Sequence, residues 1–168
     1  MRSIHKVWAI CAAGLLLSQG AQAAKVELQW QDPAQFRDIR STDIGQKAFQ
    51  ARVMEELEEQ FRREADQLAD DQTLFIAVED VDLAGEIEYF HRGYPFGLRV
   101  IRRLDSPSLK LRYELRAADD TVLAAGAGRV RDPGFRSTTL MPVDRSMLKY
   151  EKALISDWYD EAFADTRN

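Results

Sequence analysis

Cysteine occurs once in this chain, at Cys11. Histidine occurs twice, at His5 and His91. A segment downstream of residue 23 therefore has no thiol with which to build a disulfide, a thiolate nucleophile or a thiolate metal site. His-Glu-x-x-His, a phosphate-cradling glycine loop and a nucleophile elbow are all missing, so the common signatures of metalloproteases, nucleotide-binding proteins and serine hydrolases are not written here. Long apolar runs are missing too. The longest, Val7–Leu17, is too short to span the ~30 Å hydrocarbon core as a helix. Positive charge is in deficit, with 23 basic against 28 acidic residues and a net charge of −5. That balance excludes a globally cationic nucleic-acid binder.

What is present begins with an export pattern. Arg2, His5 and Lys6 precede the apolar run, and Ala21-Gln22-Ala23 supplies a small-x-small cleavage site. The pattern predicts a signal peptide over 1–23, cut between Ala23 and Ala24, with a periplasmic or secreted destination. Cys11 is not a lipid-acceptor cysteine, because Ile10 before it is not small and the run from Lys6 is too short. The mature chain has no further transmembrane candidate. Loss of Arg2 and Lys6 takes the net charge from −5 to −7.

Residues 24–168 read as a single α+β domain. Val26, Leu28 and Trp30 alternate with polar residues and predict a strand stopped at Asp32-Pro33. Asp43 and Gln46 have the spacing of a helix cap. Phe49, Val53, Leu57, Phe61, Ala65 and Leu68 then form one apolar stripe on a helix of about six turns. Thr73–Leu83 predicts a strand whose apolar parity changes near Glu79-Asp80, the mark of a bulge. Leu98–Leu104 predicts a strand. Leu109–Arg116 and Thr121–Arg131 predict a hairpin around Asp119-Asp120. Ser146 caps a last helix with Tyr150, Leu154, Ile155, Trp158, Tyr159 and Phe163 on a broad apolar face. The order β-α-β-β-β-β-α predicts a mainly antiparallel sheet of about five strands packed by two helices.

Three segments carry a family resemblance. They are Asp32-Pro33…Phe36…Asp38-Ile39-Arg40, Asp80-Val81-Asp82-Leu83-Ala84-Gly85-Glu86, and Tyr150-Glu151-Lys152 with Asp157-Trp158. Together they resemble a bacterial family of exported proteins known as domain of unknown function 3016. The resemblance implies an exported single-domain protein and supplies no activity, cofactor or catalytic residue.

The candidate sites are charged or aromatic. Asp80, Asp82 and Glu86 could offer oxygen ligands to a metal. As a helical calcium loop they fail, because Ala84 and His91 fall where ligands are needed. The acids are therefore expected to order their own loop, with no metal or other cofactor assigned. Residues 43–91 carry 4 basic and 14 acidic side chains, whereas residues 92–136 carry 10 basic and 5 acidic. Within the second block Lys110, Arg112 and Arg116 share one strand parity. Arg99 and Arg129 extend the set. The expected alternatives are a face for an anionic envelope polymer or protein partner, and self-pairing with the chain's own acids. Tyr89, Phe90, Tyr94 and Phe96 are expected to fold under their loop and close the core, the alternative being a binding lip. No catalytic residue is assigned. The reading is a non-enzymatic binding or accessory domain of the cell envelope, with two alternatives: a carboxylate-dependent hydrolase of an envelope polymer, or a structural subunit of an envelope complex.

Overall fold

In the computed structural model, the residues described are 25–42, 45–90, 93–102, 104–132 and 148–166. The export segment with Cys11, the Asp43 and Ser146 caps, and His91 lie outside the described residues. Among the described residues, six strands and two α-helices follow in the order β1 (Lys25–Trp30), α1 (Gln46–Ala65), β2 (Thr73–Asp82), β3 (Glu86–Glu88), β4 (Leu98–Val100), β5 (Ser108–Arg116), β6 (Val122–Arg131) and α2 (Lys149–Ala162). Among the described residues, no helix is long and apolar enough to cross a membrane.

The main sheet runs β1-β2-β5-β6. β1 pairs with β2 in parallel, which the intervening α1 crossover permits. β2, β5 and β6 are antiparallel. The fold is α+β and mainly antiparallel. The bulge expected at Glu79 is present: Val78 faces Leu111, but Asp80 faces Lys110. One extra residue moves Val81 onto the core face after Val78, so both remain buried although they are three positions apart.

Register fixes the two faces of the sheet. Val26 and Leu28 line up with Leu74 and Ile76, and these with Leu115 and Tyr113, on the side that both helices cover. α1 turns Phe49, Val53, Leu57, Phe61 and Ala65 onto this side, all of them buried. α2 adds Leu154, Ile155, Trp158 and Tyr159. Trp158 meets Phe61, Tyr113 and Phe163 edge-on, with ring centres 5.3–5.8 Å apart. The helices also share a polar seam: Lys152 Nζ lies 2.9 Å from Glu56 Oε2, and Ser156 Oγ donates to Glu64 Oε1 at 2.5 Å.

Two expectations change. The strand expected over Leu98–Leu104 is only Leu98–Val100, because Asp105 closes a turn on the Arg102 amide at 3.1 Å. That strand also leaves the main sheet and pairs instead with β3, which lies in the stretch expected to be loop. Gly85 makes the divergence possible. Its φ of +84° turns the chain, and its bare α-carbon lets the Val100 carbonyl approach.

Candidate functional site

The outer face of the main sheet carries most of the expected basic set. Lys110 and Arg112 are exposed and converge on one carboxylate, Glu79 at the bulge. Lys110 Nζ is 2.8 Å from Oε2 and Arg112 Nε is 2.6 Å from Oε1. The lysine hydrogen bond, acting against partial desolvation and joined by the charges of both bases, holds the Glu79 carboxyl below its ordinary range. Arg116 donates to Glu114 at 2.7 Å and lies over the Phe75 ring, 5.2 Å from its centre. Arg129, facing Lys110 across the β5–β6 ladder, donates to Asp80 Oδ2 and to Ser108 Oγ, both at 2.9 Å. Beside them the face forms a shallow trough of about 660 Å³ lined by Glu27, Gln29, Phe75, Ala77, Arg112 and Glu114, among others.

Each of these four bases meets an acid of the same chain. The parity argument placed them on one face, but strand parity carries no information about the acids brought opposite by β2 and by the bulge. The outer face is thus a mixed, ion-paired plate and not a bare cationic one. Such exposed pairs exchange readily, since each is worth about 0–1 kcal/mol.

Arg99 is a correction. It is not on this face. Its side chain is buried at the foot of the β3–β4 hairpin, where Nη1 reaches Asp38 Oδ2 at 2.5 Å and the Gly85 carbonyl at 3.0 Å. Nη2 adds the Asp38 carbonyl at 3.2 Å. All three residues of β4 are buried, so no parity separates its inward and outward positions.

The acidic string is also rearranged. Asp80 and Asp82 stand in β2 itself, whereas the exposed Glu86 has passed Gly85 into the second sheet. Asp80 does more than order its own loop: Oδ1 accepts the Arg37 amide at 2.9 Å, while Oδ2 takes Arg129. Burial works against its charge, but these bonds and the two guanidinium groups outweigh it and hold the carboxyl below the usual range. Asp82 moves the other way. Burial raises it beyond what Arg37 recovers, and the neighbouring Asp38 and Asp80 charges add to the rise. Among the described residues, no three acids or histidines form a group that could hold a metal ion.

The aromatic residues are the second correction. Tyr89, Phe90, Tyr94 and Phe96 do not tuck under their loop; they are 55, 104, 43 and 74 % exposed. The short hairpin has too little sheet of its own to fold them against, and Leu98, Val100 and Ile101 already occupy the buried foot.

The residues missed by sequence reasoning are Arg37 and Glu151. The Glu151 Oε1 atom accepts the Ala84 amide at 2.6 Å, and the side chain is 1 % exposed. Burial pushes its carboxyl up to about 7 against the pull of that amide and of Arg99. The signal was available in the three quoted segments, which meet at this corner. Asp38 takes Arg99, Arg99 takes Gly85, and Ala84 takes Glu151, while the Asp38 amide donates to the Val81 carbonyl at 3.3 Å.

No curated protein matches this chain. A family model does match, over residues 24–161, and its description is "Protein of unknown function (DUF3016)". With the three segments joined in one corner and most of the sequence matched, the chain belongs to the DUF3016 family.

Proposed function

We propose that this chain is an exported, non-enzymatic binding domain that engages an anionic polymer or protein of the bacterial cell envelope through the outer face of its main sheet. The observation that carries the reading is the grip of Lys110 and Arg112 on the single carboxylate of Glu79. Two bases at this spacing already hold an anion from both sides. A carboxylate or phosphate of a ligand has the same acceptor geometry and can displace an exposed internal partner at small cost. Arg116 and Arg129 stand on the same face to extend the contact, and the adjoining trough gives a ligand room beside Arg112. Export rests on the basic start, the apolar run and Ala21-Gln22-Ala23.

Retention on envelope extract tests the face. Reversal of Lys110, Arg112 and Arg116 to Glu is expected to abolish retention. Glu79→Gln, which removes the competing internal charge, is expected to strengthen it. Wild-type retention is expected to weaken between about 0.1 M and 1 M salt, as the screening length falls from about 10 Å to 3 Å. Equal retention of folded wild type and reversal variant at low salt would refute the proposal. Export is tested by the amino terminus of the secreted form, expected to read Ala24-Lys25-Val26; uncleaved protein held in the cytosol would overturn it.

A further inference from the structure

We propose that β6 is a self-association edge, along which two copies of this chain pair antiparallel about a two-fold axis at Ala125 and join their main sheets into one continuous sheet. The two edges of the main sheet differ in how they are protected. β1 has only six residues; its Lys25 and Glu27 side chains form an ion pair, and Pro33 follows soon after its end. Short length, charge and proline are devices that keep a sheet edge from pairing with another chain. β6 runs for ten residues, about 34 Å, and among the described residues it pairs with β5 alone. Val122–Gly128 holds no charge and no proline. None of the ten residues is buried, and Val122 and Leu123 are 50 and 41 % exposed. A long edge without protection offers a row of main-chain donors and acceptors to a further strand.

The residues of β6 and of the turn before it select a second copy as that strand. A two-fold axis requires the strand to be complementary to its own reverse, in size and in charge. At the centre Ala124 of one copy meets Gly126 of the other. Both are small, and both stand on the helix side of the sheet, opposite Leu115 and Tyr113, so the two faces continue across the join. Farther out, the exposed Val122 and Leu123 of one copy lie against Gly128 and Ala127 of the other. Gly128 leaves open space there, since a methyl group on it would meet nothing within 4 Å. Charge is complementary at the ends. Asp119 and Asp120 precede the strand and Arg131 closes it, so antiparallel pairing brings the acidic turn of each copy alongside Arg131 of the other. The Asp120 side chain is 88 % exposed, and its ion pair with Arg116 is long, at 3.9 Å. Arg131 is exposed and has no acid partner among the described residues. Parallel pairing would instead set acid against acid and arginine against arginine.

Sedimentation velocity of the exported form, from about 1 μM to about 1 mM, tests the association. A monomer–dimer equilibrium that shifts with concentration is expected. Arg131→Glu is expected to weaken it at least about tenfold and Arg131→Lys to preserve it, with the urea midpoints of the dilute monomers unchanged because the side chain is exposed. Disulfide trapping reads the register. Cys11 is the one cysteine of the chain, so a form that begins at Ala24 has none. In Ala125→Cys the new residue meets its own copy across the axis, with α-carbons about 4.5–5.5 Å apart, and is expected to oxidise to a covalent dimer. In Ala127→Cys the two α-carbons stand about 13 Å apart along the strands, beyond disulfide reach, and the thiols are expected to stay reduced. A monomer throughout the concentration range, a dimer indifferent to Arg131→Glu, or equal trapping of the two cysteine variants would each overturn the proposal. Cross-linking of Ala125→Cys to a different envelope protein and not to its own copy would do so as well, and would assign the edge to that protein.

Discussion

Glu151 and Ala84, which lie 67 positions apart in sequence, are joined by a hydrogen bond of 2.6 Å from the Ala84 amide to a carboxyl that is 1 % exposed. The bond docks the first turn of α2 onto the exit of β2, just where Gly85 turns the chain into the hairpin. The other carboxyl oxygen, Oε2, has no hydrogen-bond partner among the described residues. A buried carboxylate with one unmatched oxygen is costly, whereas the protonated acid is tolerated far better.

Stability is therefore expected to fall with rising pH through this group. In the unfolded chain Glu151 ionises near its ordinary value of 4.5, and in the folded chain at about 7. Between these values the folded state holds a proton that the unfolded state has lost. The contribution is complete below about pH 4.5 and is lost as pH rises through about 7, with a span of roughly 3 kcal/mol. Glu56, Glu79 and Asp80 shift the opposite way and act only on the acid side of the ordinary carboxylate range, whereas Asp82, raised by burial, adds to the decline. Thermal midpoints measured from about pH 5 to about pH 8 should thus decline in the wild type and decline less in Glu151→Gln, which keeps an acceptor for the Ala84 amide and leaves Asp82 in place. Parallel pH profiles for the two proteins would show that Glu151 does not titrate in this window.

Gly85 and Gly93 allow a controlled comparison. Both have positive φ, +84° and +88°. A methyl group on Gly85 would sit 2.5 Å from the Val100 carbonyl oxygen, whereas one on Gly93 would meet nothing within 4 Å. Gly93→Ala carries only backbone strain, about 1–3 kcal/mol. Gly85→Ala adds a clash with backbone that cannot rotate away, so its urea midpoint should fall further. Similar midpoints for the two variants would mean that the hairpin foot yields more easily than its packing indicates.

Much of the architecture was legible because it depends on periodicity. The Phe49–Ala65 stripe, the Leu109–Leu115 alternation and the parity change at Glu79 each reflect a local rule, and each appears in the structure. The divergence of β4 was not legible, since it depends on a long-range choice of partner by three residues with no exposed side. The pairing of β1 with β2 is likewise long-range; nothing in Val26–Trp30 specifies it. The candidate face was legible by position only. Lys110 and Arg112 were placed by parity, but the acid between them comes from another strand, which long-range pairing of β2 with β5 brings opposite. The aromatic tip was misjudged because composition cannot distinguish a ring folded under its loop from one held clear of it.

Arg99 and Asp38 tie the hairpin foot to the loop after β1, and the two ends of this pair differ in burial. The Arg99 side chain is 5 % exposed and that of Asp38 is 20 % exposed. Neutralising the acid leaves a buried guanidinium with uncharged acceptors only, the Gly85 and Asp38 carbonyls and the new side-chain amide oxygen, and with little access to water. Removing the base leaves a carboxylate that can rehydrate from its open side. Breaking a buried pair costs about 3–5 kcal/mol when the remaining charge is trapped, and less when it is not. Asp38→Asn should therefore destabilise the domain more than Arg99→Met, which retains the unbranched stem and its packing. Urea midpoints of both variants and of the double variant measure the difference. The double variant should lose less than the sum of the two, because the second change removes a charge that the first has stranded. An additive double variant, or a larger loss from Arg99→Met than from Asp38→Asn, would mean that packing of the arginine stem and not its charge holds the hairpin in place.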